Sequence, residues 1–207
     1  MEILIGTTNP SKVARFQSLL EGYDLRFLTL RDLGIRTEPE ETGASPLENA
    51  VLKAKYYGRF FERVVCDDSG LYIDGLTTDD ARQPGLKART PSGVRLSDEE
   101  MIAHYAALIE SLGGICLAYY WDGVAIFNRG AVRGYMESEA EAKENAFLMV
   151  SDVHPAQRAG WPLDSLSINR TTNKYFVENG AQTENIMVGE YRKRLTGFLV
   201  SAFGLDA

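Results

Sequence analysis

With 207 residues, 25% of them charged and 44% from the AVILMFWYC set, the chain has the composition of a soluble globular protein with room for one well-buried domain. A formal charge of -7 and a pI near 5.0 exclude a general nucleic-acid binder, although an acidic protein can still take a polyphosphate where its cations converge. No apolar run reaches membrane length, and MEILIG opens a strand without the basic-then-apolar pattern of a secretory signal, so a cytoplasmic protein with no membrane partner is expected.

Ile3-Leu4-Ile5 predicts a short buried strand running into Gly6-Thr7-Thr8-Asn9-Pro10-Ser11-Lys12. From Val13 the period becomes helical, with Val13, Phe16, Leu19 and Leu20 on one face as far as Gly22. Asn9 is placed to cap that helix and Pro10 to occupy its first position. A strand, a polar loop, a helix N-terminus and a lysine together suit an anion, because free backbone N–H groups point out of the helix start. A capped helix with a surface lysine accounts for the same residues. The loop matches neither the Walker nor the dinucleotide glycine pattern. Leu25 to Leu30 is a second strand, followed by the acidic connection Glu38-Pro39-Glu40-Glu41-Thr42-Gly43. Ser45-Pro46-Leu47-Glu48 reads as a capping box opening a helix to about Phe61, in which Asn49, Lys53 and Tyr56 share one face.

Val64 to Leu76 is the stretch best suited to chemistry. An apolar run, Val64-Val65-Cys66, meets two adjacent acids, Asp67 and Asp68; Ser69-Gly70 then predicts a tight turn, and Leu71-Tyr72-Ile73 restarts the apolar pattern. Acids at the end of a buried α/β strand can hold a metal or activate water. Ordinary turn chemistry explains Asp-Asp-Ser-Gly equally well.

Beyond it, residues 79–89 form a Pro/Gly loop with three cations, and Ser97 with Glu100 caps a helix through Leu112. Asp122-Gly123, between Ile115–Trp121 and Val124–Asn128, is the strongest hairpin signal in the chain. Extended pieces are expected at Ala131–Met136 and Ala146–Val150, with a Glu/Ala-rich stretch between them that can be helical. A final helix from about Thr183 carries Met187, Tyr191, Leu195, Phe198, Leu199 and Ala202. Cys66 and Cys116 lie in apolar runs without zinc spacing and read as reduced core residues, while His104 and His154 belong to no metal or triad signature. The pattern predicts an α/β fold: a mixed sheet with flanking helices and a second β-rich lobe, in one domain over residues 1–207.

Five pieces now fall in order: Thr8-Asn9-x-x-Lys12, Glu41-Thr42-Gly43, Glu48-Asn49-Ala50-x-x-Lys53-Ala54, Asp67-Asp68-Ser69-Gly70-Leu71 and Pro84-Gly85-x-x-x-Arg89. Together they resemble the inosine triphosphate pyrophosphatase family, which hydrolyses deaminated purine nucleoside triphosphates to monophosphate and pyrophosphate. The resemblance implies an elongated fold with an active-site cleft between two lobes, Mg²⁺ as cofactor and commonly a homodimer. It also implies Glu41 and Asp68 as Mg²⁺ ligands, with Asp68 orienting or deprotonating the attacking water. Asn9, Lys12, Lys53 and Arg89 are implied as triphosphate contacts, with Thr8 and Asn49 beside them and Ser69-Gly70 offering backbone N–H groups.

The second half departs from the family. Gly160-Trp161-Pro162-Leu163-Asp164 keeps the aromatic and the acid of a Phe-Gly-Tyr-Asp-Pro-like stretch, so Trp161 and Asp164 are substrate-binding candidates. Glu190-Tyr191-Arg192 stands where members carry Ser-His-Arg, and Ile186 where they carry a base-reading lysine. Lys174 and Arg192 are the remaining candidates for a donor to the base. Two other readings share the phosphate machinery: a pyrophosphatase for a different or modified nucleotide, and an idle nucleotide-binding protein. Asp68-Ser69-Gly70 also matches the Asp-[Ser/Thr]-Gly of aspartic proteases, but only one copy occurs and the helices do not suit that all-β fold.

Overall fold

Ile3, Leu4 and Ile5 are buried without exception and form β1 (Glu2–Ile5) in the computed structural model, which describes residues 1–178 and 189–206. β1 lies between two parallel neighbours, β2 (Arg26–Thr29) and β3 (Arg63–Ile73), with Ile3 opposite Phe27 and Leu4 opposite Val64. Parallel strands need cover on both faces, and the crossovers provide it. α1 (Pro10–Leu19) joins β1 to β2, and α2 (Pro46–Tyr57) lies between β2 and β3.

Strand alternation divides this core. Ile3, Ile5 and Val65 pack with Phe16 and Leu19 of α1 and with Tyr191, Leu195 and Leu199 of the C-terminal helix α5 (Gly189–Phe203). Leu4, Val64 and Cys66 pack on the other side with Ala50, Ala54 and Tyr57 of α2. Continuing the period of two, Asp67 faces the α1/α5 layer and Asp68 the α2 layer. Of the residues expected in the last helix, Thr183, Ile186 and Met187 lie outside the described residues.

Two expected turns are strand interiors. β3 runs for 11 residues straight through Ser69-Gly70, because its buried acids are met by cations from the helices on each side and so do not end it. β4 (Ile115–Asn128) likewise runs through Asp122-Gly123. There Asp122 pairs with an arginine, and a Cβ on residue 123 would collide with the backbone of Leu47 at the start of α2. The hairpin closes instead at Arg129-Gly130, with φ of 49° and 93°, setting Asn128 opposite Ala131 of β5 (Ala131–Met136). Two residues with positive φ are what the right-handed strand twist asks of a two-residue turn.

β3 and β4 each run from one compact unit of the chain into another. The first unit holds Met1–Ser69, Asp122–Glu137 and α5. The second holds Gly70–Trp121 and the described residues from Ser138 onward. In the second, α3 (Asp98–Ser111) opens on the expected capping box, α4 (Glu139–Glu144) fills the Glu/Ala-rich stretch, and β4 pairs antiparallel with β6 (Phe147–Val150), which pairs with β7 (Ser167–Ile168). Its core gathers Leu71, Ile73, Met101, Tyr105, Ile109, Met149 and Leu166. Strand order is β2-β1-β3-β4-β6-β7 with β5 on β4, a seven-stranded mixed α/β sheet. Among the described residues no helix is long and apolar enough to cross a membrane.

Candidate active site

α2 starts where Ser45 accepts from the Glu48 N–H and Pro46 takes the first turn; the Glu48 carboxylate turns back to the Ala44 N–H rather than completing a capping box. One and two turns on, Asn49 and Lys53 share a face and reach β3. Asn49 Nδ2 donates to Asp68 Oδ2 at 2.9 Å, and Lys53 Nζ stands 3.0 Å from Asp68 Oδ1. The same ammonium lies 2.5 Å from Glu41 Oε1 and 3.4 Å from the Asp67 carbonyl oxygen. Burial would lower the Lys53 pKa, but Asp68 and Glu41 more than offset it and hold the amine above the ordinary lysine range. Four of the expected residues thus meet at one point, on a side chain only 15% exposed.

The acidic loop reaches this point because Gly43 has no side chain. Its N–H donates to Asn49 Oδ1 at 2.7 Å, and a Cβ there would sit 2.7 Å from that oxygen. Gly43, Asn49 and Asp68 therefore form one hydrogen-bonded chain that sets Glu41 opposite the strand acid. Of the two adjacent glutamates, Glu41 is the one paired with Lys53. Thr8 Oγ1 donates to Glu38 Oε1 at 3.3 Å at the start of the same connection, and Asn9 caps α1 by accepting from the Ser11 N–H at 2.9 Å.

On the opposite side of β3, Asp67 has a side chain only 1% exposed. Lys12 Nζ lies 3.4 Å from its Oδ2 and Arg15 Nη2 donates to the same oxygen at 2.9 Å. Arg15 Nη1 donates to Asp122 Oδ2 at 2.8 Å. Sequence reasoning missed Arg15; the available signal was a second cation one helical turn after Lys12, on the side that carries Phe16 and Leu19. Ser69 follows on β3, half-buried.

The C-terminal candidates in this unit face elsewhere. Tyr191 is 7% exposed within the α1/α5 core, stacked against Tyr135, and burial pushes its phenol well up. Arg192 Nη2 donates to the Ser18 carbonyl at 2.6 Å and to Ser18 Oγ at 3.0 Å, so it closes the last turn of α1.

In the second unit, Arg89 Nη1 donates to Asp98 Oδ1 at 3.0 Å, and Asp98 Oδ2 accepts from the Gly160 N–H at 2.6 Å. The next residue, Trp161, is 37% exposed with the Arg158 guanidinium 4.6 Å from its ring centre. Arg158 also pairs with Asp164 at 2.8 Å. Burial raises the Asp164 pKa to about 6 despite that arginine. Gly70 lies on β3 against the Tyr72 ring, and Lys174 is exposed, its carbonyl accepting from the Asn169 N–H.

Among the described residues no three His, Cys, Asp or Glu side chains cluster as a metal cage. Glu41 and Asp68 do converge on one cationic centre, the Lys53 ammonium. Mg²⁺ takes one or two carboxylates together with substrate phosphates and water, so this donor set suits that ion, with Lys53 Nζ standing between the two carboxylates.

A sequence model of the Ham1 family matches residues 3–147. A dITP/XTP pyrophosphatase of Protochlamydia amoebophila is 28% identical, over 96% of this chain and 98% of its own. One from an Exiguobacterium species is 33% identical over 71% of this chain and 76% of its own. With other relatives of that name the similarity spans about half of each protein, as with one from a Thermoanaerobacter strain: 31% identity over 54% of this chain and 55% of that one. Among solved structures, a HAM1 protein from Coxiella burnetii superposes with a TM-score of 0.72 at 21% identity, covering 97% of this chain and 99% of its own. The Ham1 protein of Staphylococcus aureus gives 0.68 at 20%, over 98% and 100%. The fold is therefore theirs, and with a family match running from β1 to the start of β6, this chain belongs to the Ham1 family.

Proposed function

We propose that this protein hydrolyses nucleoside triphosphates to nucleoside monophosphate and pyrophosphate. The observation that carries the reading is the convergence of Asn49, Lys53, Glu41 and Asp68 on one point. Asp68, held on both oxygens, is oriented to take a proton from water as the water oxygen bonds to the α-phosphorus and the bond to the bridging oxygen breaks. The charge leaving on pyrophosphate needs cations, a task assigned to Lys53, Lys12 and Arg89. Mg²⁺ held by Glu41 and Asp68 would neutralise phosphate charge and polarise the phosphoryl group. Thr8, Asn9, Ser69 and Gly70 are assigned to the phosphate chain, and Trp161, Asp164, Lys174 and Arg192 to the nucleoside.

The named activity of the relatives favours a deaminated purine nucleotide as substrate. Tyr191 in the core and Arg192 on Ser18 favour looser reading of the base. The same reading takes the protein as a cytoplasmic homodimer without polymer or membrane partner, on its net charge of -7 and the motif resemblance. The test is pyrophosphate release from a panel of nucleoside triphosphates with Mg²⁺ and with chelator. Release that needs the metal is expected; orthophosphate as the sole product, or no product from any nucleotide, overturns the proposal.

A further inference from the structure

We infer that Arg15 is a positioning residue for Asp68, acting through Asp67; the inference rests on the function proposed above. Arg15 sits on α1, across the sheet from the Lys53 site. Its two terminal nitrogens each take a different carboxylate: Nη2 holds Asp67 on β3 and Nη1 holds Asp122 on β4. A planar guanidinium holds the two carboxylates through separate nitrogens in a fixed fork, a geometry that a lysine ammonium does not fix. The Arg15 side chain is largely but not wholly buried, and Asp122 and Asp67 hold it charged against the desolvation.

Asp67 is gripped from both layers at once. Its side chain is bound by Arg15 and Lys12 on the α1 side, and its carbonyl oxygen lies 3.4 Å from Lys53 Nζ on the α2 side. The next residue is Asp68, whose carboxylate points the opposite way into Asn49 and Lys53. Fixing the Asp67 side chain therefore fixes the plane of the peptide from which Asp68 projects. Among the described residues, loss of Arg15 leaves the Asp67 carboxylate with Lys12 at 3.4 Å and removes the ion pair of Asp122, so the side-chain tie between β3 and β4 beside Asp68 is gone while the strand pairing remains. Asp67 is 1% exposed, so a carboxylate that loses an ion pair there must shift locally, and its peptide link carries that shift to Asp68. Small displacements of a reacting group of this kind cost rate rather than binding.

The experiment compares wild-type protein with Arg15→Gln and Arg15→Lys, each at a temperature where circular dichroism shows it fully folded. At saturating nucleotide and Mg²⁺, kcat of Arg15→Gln is expected to fall roughly tenfold or more, with Arg15→Lys between it and wild type. In parallel, the Lys53 Nζ resonance, assigned through Lys53→Met, is expected to shift in folded Arg15→Gln without any nucleotide. A folded Arg15→Gln with kcat within twofold of wild type overturns the inference, as does an unmoved Lys53 resonance. Should Arg15→Gln fail to fold, Arg15→Lys decides by the same two measurements. If wild-type protein releases no pyrophosphate, the proposed function fails, and the Lys53 resonance alone still decides whether Arg15 governs the geometry at Asp68.

Discussion

Lys53 and Asp68 face each other across the α2–β3 interface at 3.0 Å, and a 2.5 Å contact from the same Lys53 nitrogen to Glu41 makes that ammonium the centre of the site. Each carboxylate is thus held beside a positive charge where phosphate is proposed to bind.

Asp68→Asn keeps the shape and the hydrogen bond from Asn49 but removes the proposed base and metal ligand. A loss of roughly 10²–10⁴-fold in kcat is expected, with a melting temperature close to that of wild type. Retention of more than about a tenth of the activity in a variant of matched stability would remove Asp68 from its role.

Lys53→Met leaves Glu41 and Asp68 without the cation between them, so a divalent ion no longer competes with an ammonium for the same oxygens. The upward shift in melting temperature on adding Mg²⁺ is expected to be larger in Lys53→Met than in wild type, and to vanish when Glu41→Gln is added. Equal shifts in all three proteins would place the metal elsewhere.

Asp164 supplies a pH dependence with a definite sign. Its pKa is raised to about 6 from 3.8, so between those values the folded protein holds a proton that the unfolded chain has lost. Stability from this group is therefore full below about pH 4, falls as pH rises to about 6, and stays lost above. Asp164→Asn removes the slope, and its advantage over wild type is expected to grow across that window by on the order of 2–3 kcal/mol. A stability difference that is flat with pH contradicts the raised carboxyl.

Much of this was legible in the sequence. Asn9, Ser45 and Ser97 mark the starts of α1, α2 and α3 by their caps, and helical spacing alone puts Asn49 and Lys53 on one face. The five short motifs resemble the family that the comparison finds. What misled were polar residues read locally. Ser69-Gly70 and Asp122-Gly123 look like turns because turn formers are also residues that let an acid meet a cation, or one backbone approach another. Their partners, Arg15, Lys53 and Leu47, come from helices distant in the chain, and no window of ten residues contains them. Gly123→Ala tests this directly: the clash with Leu47 is expected to cost about 1–3 kcal/mol, the range for overpacking. A neutral substitution there would mean that α2 does not rest on β4.

The base is where this chain is expected to differ from its relatives. A site that reads a 6-oxopurine with buried donors rejects an amino group strongly, because the wrong partner leaves donors facing each other. Here Tyr191 lies inside the core, stacked on Tyr135, and Arg192 is committed to the Ser18 carbonyl. Trp161, 37% exposed, can stack on a base, but an aromatic face accepts any of them. The ratio of kcat/KM for inosine triphosphate to that for ATP is therefore expected to stay below about a thousandfold, well short of what a matched polar pocket reaches. Arg192→Ala separates the causes. If Arg192 serves α1 alone, the variant melts earlier and its substrate ratio is unchanged, since only the hydrogen bonds to Ser18 are lost. If instead the ratio collapses toward one while stability holds, Arg192 leaves Ser18 for the base when nucleotide binds, and the expectation of loose base reading fails.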